Sequence, residues 1–280
     1  MSTSATDLPE PAGSRAPTLK PVYGNTRSFP TLRTVTALVL REMSTSYGRS
    51  PGGYLWAILE PAAGTALLTA IFSLGFRSPP LGTHFGIYYA TGIVPFLFYN
   101  DLANKIGKAI QYSKSLLVYP CVTFLDAIVA RFLLTAMTQM MVAYVVLSFI
   151  IFALDAPVSL NAGRIALGFS MAMAMGLGVG TLNCFLFSMY PLWRQIWSII
   201  TRPLFFVSGI LFLHESVPEP YRSWLEWNPL VHVVGAVRSG FYARYDATYV
   251  DPLYVFGTAL LLLVAGLVFL RSYHTDILNN

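Results

Sequence analysis

The polar side chains of this sequence do not form the common catalytic or metal-binding patterns. Its four histidines are isolated from one another in the chain: His84, His214, His232 and His274. They lack the paired histidines or cysteines whose spacing zinc sites require. Gly107-Lys108 is followed by Ala109 and lacks the upstream glycine of a phosphate-binding loop. The sequence therefore predicts no catalytic residue, no metal site and no cofactor bound by this chain.

Glu60 precedes Pro61 near the start of an apolar segment. A charge at mid-bilayer costs about 2.5–3.5 kcal/mol, so we expect this carboxylate to stay near the membrane interface. One interpretation is that Glu60 meets the free backbone amides of a helix that turns at Pro61. The other is that it contacts a basic group such as Arg41 or Arg49, and both interpretations stay open.

Asp101, Asp126 and Arg131 border a polar connection between two apolar segments. A proton relay would need carboxylates that face each other deep in the membrane. Because these residues stand at the edges of the apolar segments, the sequence favours solvated loop charges.

The composition indicates an integral membrane protein. Hydrophobic residues make up 55% of the 280 residues and charged residues only 11%, with a mean hydropathy of +0.58. An ordinary soluble domain has about 25% charged residues, so this chain cannot cover a water-facing surface. The net charge of +5 does not indicate nucleic acid as a partner, because the basic residues cluster between the apolar segments, where they bias membrane topology.

The pattern along the chain predicts an all-α membrane protein with one transmembrane domain, residues 31–280. Residues 1–30, rich in Pro and Ser, are predicted to form a disordered cytoplasmic tail, and 31–47 an amphipathic helix in the interface. Six apolar segments are long enough to span the bilayer: 55–76, 85–105, 128–154, 165–189, 196–213 and 253–270. Residues 216–241 contain three prolines and predict short re-entrant helices at the outer face.

Basic residues also predict the orientation. If the N-terminus is cytoplasmic, only five of the 18 fall outside: Arg77, Arg164, Arg222, Arg238 and Arg244. This bias predicts a multi-pass membrane protein with both termini in the cytoplasm.

Small residues recur every four positions in the fourth apolar segment, at Gly168, Ala172, Gly176, Gly180 and Cys184. Such a stripe lets a neighbouring backbone approach closely. The pattern predicts tight helix packing, either within the chain or across a dimer.

Residues 111–121, QYSKSLLVYPC, mix apolar side chains with Lys114. They form either a short amphipathic helix that offers apolar side chains to a soluble partner, or an extension of the second span. Aromatic residues are concentrated in that span, where they suit either sugar contacts or anchoring at the lipid interface.

Four stretches carry a resemblance to a known family: 41–61, 113–131, 205–213 and 227–242. The combination of Tyr-Gly-Arg, Gly-Tyr-Leu-Trp and Glu-Pro within 47–61 is its most specific part. The chain resembles the ABC-2 type permeases, and within them the capsular polysaccharide export permeases of Gram-negative bacteria, the KpsM type. One departure is the pair Gly235-Ala236, where a carboxylate before Arg238 is expected.

The resemblance implies a homodimer of six-span subunits that rests on two separate ABC ATPase subunits, which bind ATP and Mg. It also implies a lipid-linked polysaccharide that passes through a channel at the dimer axis. A polysaccharide co-polymerase and outer-membrane export proteins then continue export.

The resemblance also implies roles for particular residues. The residues expected to contact the ATPase are Arg41, Glu42, Tyr47, Arg49, Ser113, Lys114, Leu116, Leu117, Tyr119 and Pro120. The channel is expected to be lined by Tyr88, Tyr89, Phe96, Tyr99, Phe205 and Phe206. The outer re-entrant segment contains Trp224, Trp227, Asn228, Pro229 and His232, and the entry of the first span contains Glu60 and Pro61.

Three rival functions remain. A permease for another glycan, such as O-antigen or teichoic acid, would show the same sequence features. An ion-coupled secondary transporter would need buried paired carboxylates, and a membrane enzyme would need a catalytic cluster. The sequence shows neither of these features, so we interpret the chain as a permease without enzymatic activity of its own.

Overall fold

A computed structural model of the chain describes residues 30–46, 53–117, 123–155 and 158–273. Side chains are described for 33–43, 55–114, 123–155 and 158–273. Within these ranges the regular elements are all helical. The helices are α1 (Pro30–Ser46), α2 (Gly53–Gly75), α3 (Phe85–Gly107), α4 (Ala109–Leu117), α5 (Phe124–Leu154), α6 (Ala162–Met189), α7 (Trp193–Val207), α8 (Tyr221–Leu225), α9 (Pro229–Phe241) and α10 (Pro252–Ser272), with a short 3-10 helix at His214–Ser216.

Several helices are compatible with a bilayer, which confirms the predicted all-α membrane class. In the described part of the chain, four are long and apolar enough to cross it: Leu55–Gly75, Phe124–Leu154, Ala162–Met189 and Pro252–Ser272. The other two predicted spans lie on α3 and α7. The last turns of α3 carry Asp101 and Lys105, and α7 has only 15 residues. The count of six spans therefore stays a prediction.

The core is built around α3 and α6. Most of α3 is buried, because α6 covers one side of it and α2, α5 and α9 cover the others. Close approach depends on the glycines of α6: a Cβ at Gly176 would lie 2.6 Å from Leu102 Cβ, and one at Gly180 would lie 2.8 Å from Ile106 Cβ. The predicted tight packing along this stripe is confirmed, and these contacts lie within one chain.

The second face of α6 packs against α10 with similar closeness. A Cβ at Gly178 would lie 2.4 Å from the carbonyl oxygen of Ala259, and one at Gly266 would lie 2.7 Å from the amide nitrogen of Leu182. Glycines from both helices therefore bring the two backbones into contact.

The helix of the predicted fifth span, 196–213, ends earlier in the chain than predicted. It ends at Val207, and Ser208 to Leu213 are not helical. Gly209 adopts φ 73, a left-handed conformation that cannot continue a right-handed helix. The hydrophobicity of residues 208–213 does not reveal this end of the helix.

Residues 216–241 form short helices rather than one span. The helix α9 has Pro229 at its first position and is buried along almost its whole length against α6 and α3. Where these helices lie relative to the membrane surface stays a prediction.

Candidate functional site

The described part of α1 is joined to α5 by a small apolar cluster. Val35 and Leu38 on α1 pack with Ala130 on α5, and Val39 lies against them. The opposite face of α1 is exposed at Arg33, so this helix is amphipathic as predicted from the sequence. The cluster holds α1 against the beginning of α5.

A buried ion pair extends this contact to a third helix. The Nε atom of Arg131 lies 3.3 Å from Oε1 of Glu42, and both side chains are buried. The guanidinium of Arg131 also stacks over the ring of Tyr112 on α4, 4.6 Å from its centroid. We call Glu42, Arg131 and Tyr112 the junction, because they connect α1, α5 and α4.

The interpretation of Arg131 as a solvated loop charge was therefore wrong. The predicted third span began at residue 128, whereas α5 begins at Phe124, so Arg131 lies in its second turn and faces α1. No local pattern around Arg131 shows the partner, because Glu42 lies in a different helix.

Burial dominates the electrostatics of the junction. Loss of hydration raises the pKa of Glu42 above its ordinary value, although Arg131 and Arg41 act to lower it. A buried ion pair loses much of its attraction to the cost of desolvating the two charges. What it provides is a defined position of α1 relative to α5.

The beginning of α5 is fixed by a capping box. The Thr123 hydroxyl accepts a hydrogen bond from the Asp126 amide at 3.2 Å, and the Asp126 carboxylate accepts one from the Thr123 amide at 3.0 Å. Asp126 is therefore a buried cap and not a solvated loop charge. The two residues anchor the chain directly after 118–122.

On its other side, α4 is tied to α6 and α7. The Gln111 amide donates to the carbonyl oxygen of Phe187 at 3.1 Å, and Arg194 donates to the Gln111 side-chain oxygen at 2.6 Å. From α7, the indole nitrogen of Trp193 donates to Asn183 on α6, and that of Trp197 donates to Asn104 on α3. Movement of α4 would therefore be transmitted to several helices at once.

The residues expected to contact an ATPase are partly described. The segment 109–117 forms α4, which is separated from α3 at Lys108, so the predicted short helix is present rather than a continuous extension. Arg41 and Lys114 are exposed, whereas Glu42 and Ser113 are buried. Leu116 and Leu117 lie in the last turn of α4, but their side chains are outside the described set. Tyr47, Arg49, Tyr119 and Pro120 lie outside the described residues.

The aromatic residues expected to line a channel are mostly inside the chain. Tyr88, Tyr89, Phe96 and Tyr99 are buried in the core, because α3 is covered on all sides. They offer no surface to a sugar ring in this structure, so we correct the expectation for these four. Phe205 is half-buried, with its ring 5.3 Å from that of Phe96.

Phe206 differs from the aromatic residues of α3. It is 57% exposed at the end of α7, whose described residues include none that is fully buried. Of the six expected channel residues, Phe206 thus offers the largest surface to a ligand.

Glu60 is exposed on α2 and borders a small cavity. The helix α2 begins at Gly53, so Glu60 lies in its second turn and does not meet the free amides of a helix start. Pro61 is buried beside it. Glu60 lines a cavity of about 10 Å³ together with Asp101 and Gln139, which is room for about one water molecule. A contact between Glu60 and Arg41 stays a prediction.

In the expected outer segment, His232 is hydrogen-bonded through both of its ring nitrogens. Its Nδ1 accepts from the Asp251 amide at 3.0 Å, which leaves Nε2 to donate to the Glu226 carbonyl oxygen at 2.8 Å. Both ring nitrogens therefore have a backbone partner. Trp224 and Trp227 are exposed, and their position at the lipid interface stays a prediction.

Comparison with known proteins supports the interpretation as a membrane permease. The profile of the ABC-2 type transporter family matches residues 33–242. The chain is 32% identical over 248 residues to the polysialic acid transport protein KpsM of Escherichia coli, covering 88% of this chain and 96% of KpsM. It is 26% identical to the capsule polysaccharide export inner-membrane protein CtrC of Neisseria meningitidis, covering 86% of this chain and 91% of CtrC. It is also 26% identical to the capsule polysaccharide export inner-membrane protein BexB of Haemophilus influenzae, covering 86% and 91%.

These matches confirm the resemblance noted in the sequence. The family match covers α2 to α7, the junction and the buried α9, so it concerns most of the described bundle rather than one motif. The chain belongs to the ABC-2 type transporter family.

Proposed function

We propose that this chain is the permease subunit of an exporter that moves lipid-linked capsular polysaccharide across the bacterial inner membrane. The observation that carries the proposal is the similarity over nearly the whole chain to proteins named for polysialic acid transport and capsule polysaccharide export. The apolar helices supply the membrane domain that such a permease needs.

The energy for export comes from a partner. The sequence lacks a phosphate-binding loop. We propose that ATP and Mg²⁺ bind to two separate ABC ATPase subunits, as the family resemblance implies. We propose that two copies of this chain form the membrane part, each with six spans and both termini in the cytoplasm. A polysaccharide co-polymerase and outer-membrane export proteins receive the polymer.

The ATPase acts through α1 and α4. Closure of the two ATPase subunits around nucleotide shifts these helices, and the junction passes the shift to α5 because Arg131 contacts both Glu42 and Tyr112. The bonds of Gln111 to Phe187 and Arg194 pass it to α6 and α7. The conduit then opens between the two copies, with Phe206 of α7 on its wall.

Reconstitution tests the proposal directly. The purified chain is placed in vesicles with its ATPase and with lipid-linked polysaccharide, and protection of the polymer from added glycosidase is measured. We expect transport that requires both the ATPase and ATP.

Two outcomes would contradict the proposal. Transport without the ATPase would indicate an ion-coupled transporter instead. In a deletion strain, accumulation of O-antigen or teichoic acid instead of capsule would identify a permease for another glycan.

A further inference from the structure

Arg238 is an unusually buried charged residue. It lies near the end of α9 with 2% of its surface exposed, less than any other charged residue in the described part of the chain. Charged side chains are rarely buried without a partner. The helix α9 contains no acidic residue, and among the described residues no carboxylate lies within ion-pair distance of Arg238.

Backbone carbonyl groups take the place of a carboxylate. The Nη1 atom of Arg238 donates to the carbonyl oxygens of Gly209 at 2.7 Å and Phe212 at 3.2 Å, and Nη2 donates to that of Ile210 at 2.7 Å. The guanidinium also stacks over the ring of Tyr88, 4.2 Å from its centroid. One arginine thus satisfies three carbonyl groups and joins α9 to α3.

These carbonyl groups need such a donor. The helix α7 ends at Val207 and Gly209 adopts φ 73, so residues 209–212 are not helical. Their carbonyl groups have lost the amide partners that a continued helix would supply, and unpaired backbone groups are costly in a membrane. Ile210 is fully buried, so solvent does not replace the missing donors.

Gly92 on α3 provides the space for this arrangement. A Cβ at that position would lie 3.2 Å from Arg238 Nη2 and 3.3 Å from the Cα of Ile210. At the opposite end of α9, the Asn228 amide donates to the carbonyl oxygen of Val207 at 3.3 Å. Both ends of α9 therefore hold the chain that follows α7.

We infer that Arg238 is a positioning residue that fixes the outer end of α7, and with it Phe206, against the buried core of the permease. The inference rests on the proposed function, in which α7 lines the conduit. α9 is buried between α6 and α3 and serves as the fixed part, whereas α7 has no fully buried residue among those described. Arg238 defines where the wall of the conduit stands, without itself touching the polymer.

The site is remote from the proposed ATPase-binding helices. Tyr88 lies in the first turn of α3, and α4 follows the last turn of that helix. At 1.5 Å per residue the separation along α3 is about 30 Å. A change at Arg238 should therefore alter the conduit and leave the docking of the ATPase intact.

The test compares R238K and R238M with R244K and R244M. Arg244 is an exposed arginine just after α9, and it serves as the matched control. Each variant is co-expressed with the ATPase, and four quantities are measured: membrane abundance, ATPase co-purification, ATP hydrolysis and surface polysaccharide. A fifth measurement is the labelling rate of a cysteine introduced by F206C with a membrane-impermeant maleimide.

We expect R238M to lower export about tenfold or more, because a displaced conduit wall no longer guides the polymer. R238K should lower export less, since a lysine ammonium cannot hold all three carbonyl groups in the fixed fork of a guanidinium. ATPase binding and ATP hydrolysis should persist in both, and the labelling rate of F206C should change. The Arg244 variants should match the wild type in every measurement.

Wild-type export and wild-type labelling in R238K would overturn the inference, even if R238M fails to accumulate in the membrane. If the unmodified complex exports no polysaccharide, the proposed function fails. The labelling comparison then still decides whether Arg238 positions α7.

Discussion

Arg131 shows how one side chain can set the relation between three helices. It contacts Glu42 on α1 and the ring of Tyr112 on α4 while it lies on α5. Because desolvation outweighs the attraction at Glu42, the pair contributes geometry more than stability. A mutation that removes only one of the two charges should therefore destabilise the protein more than a double mutation that removes both.

We predict that R131M lowers the free energy of unfolding by about 3 kcal/mol at neutral pH, because it removes the Arg131 cation from the buried Glu42 carboxylate. The double variant E42Q/R131M should recover most of this loss, since no buried charge then remains. Thermal unfolding in detergent measures both. The exposed Arg33 on α1 supplies the control R33M, and equal losses in R131M and the double variant would contradict the argument.

The same pair predicts a pH dependence. Burial raises the pKa of Glu42, and removing Arg131 raises it further, because Arg131 acts to lower it. Folded R131M then holds a proton that the unfolded chain releases near the ordinary pKa of 4.5. Its stability relative to E42Q/R131M should fall as the pH rises from that value through the raised pKa. Melting temperatures of the two variants that stay parallel from about pH 4 to pH 7 would disprove this.

At the scale of elements, α4 is the helix best placed to receive motion from a soluble partner. It follows α3 at Lys108, and its side chains bind α5 on one side and α6 and α7 on the other. Its last residue, Leu117, lies next to the segment 118–122. These positions belong to the proposed ATPase contact.

We predict that L117E or Y119E abolishes capsule export and leaves membrane insertion intact, because a buried carboxylate would disrupt the apolar contact with the ATPase. Surface polysaccharide and membrane abundance are the measurements. L8E, which makes a similar change in the N-terminal tail, is the control. Normal export from both variants would refute the coupling role.

The contact between α6 and α10 gives a prediction about stability. We expect G178A to lower the free energy of unfolding by about 1–3 kcal/mol, because its Cβ would meet the Ala259 carbonyl oxygen at 2.4 Å. Gly257 on α10 is the matched control, since a Cβ there meets nothing within 4 Å. G257A should therefore be as stable as the wild type, and equal stability of G178A would contradict the packing described.

At the scale of the whole molecule, the orientation in the membrane remains a prediction from charge. The positive-inside bias places the N-terminal tail in the cytoplasm and the connection between α5 and α6 outside. That placement puts α1 and α4 on the side of the proposed ATPase. It also puts α8 and α9 on the side where the polymer leaves.

We predict that a membrane-impermeant maleimide labels S159C in intact spheroplasts and labels K20C only after the membrane is permeabilised. Ser159 is exposed before α6, and Lys20 lies in the tail. The native Cys121 is replaced by serine in both variants, and the buried Cys184 is kept. Labelling of K20C in intact cells would reverse the orientation and remove the ATPase contact from α1 and α4.

The sequence by itself determined the class of protein, the approximate helices and the close packing along α6. Hydrophobicity and the spacing of small residues are properties of short sequence segments. Gly176 and Gly180 therefore predict a tight contact without identifying the contacting helix. The resemblance added the family, because motifs such as the one at 47–61 are also local.

Only the tertiary structure decided which polar and aromatic residues are buried. Burial depends on neighbours distant in the chain: Tyr88 is covered because α9 brings Arg238 onto its ring, and Arg131 is covered because α1 brings Glu42 to α5. The end of α7 also depends on a distant residue. The carbonyl group of Gly209, which has no helical amide partner, accepts a hydrogen bond from Arg238, almost thirty positions later. Hydropathy along a chain reports where helices form, whereas partners across helices are set by how those helices pack.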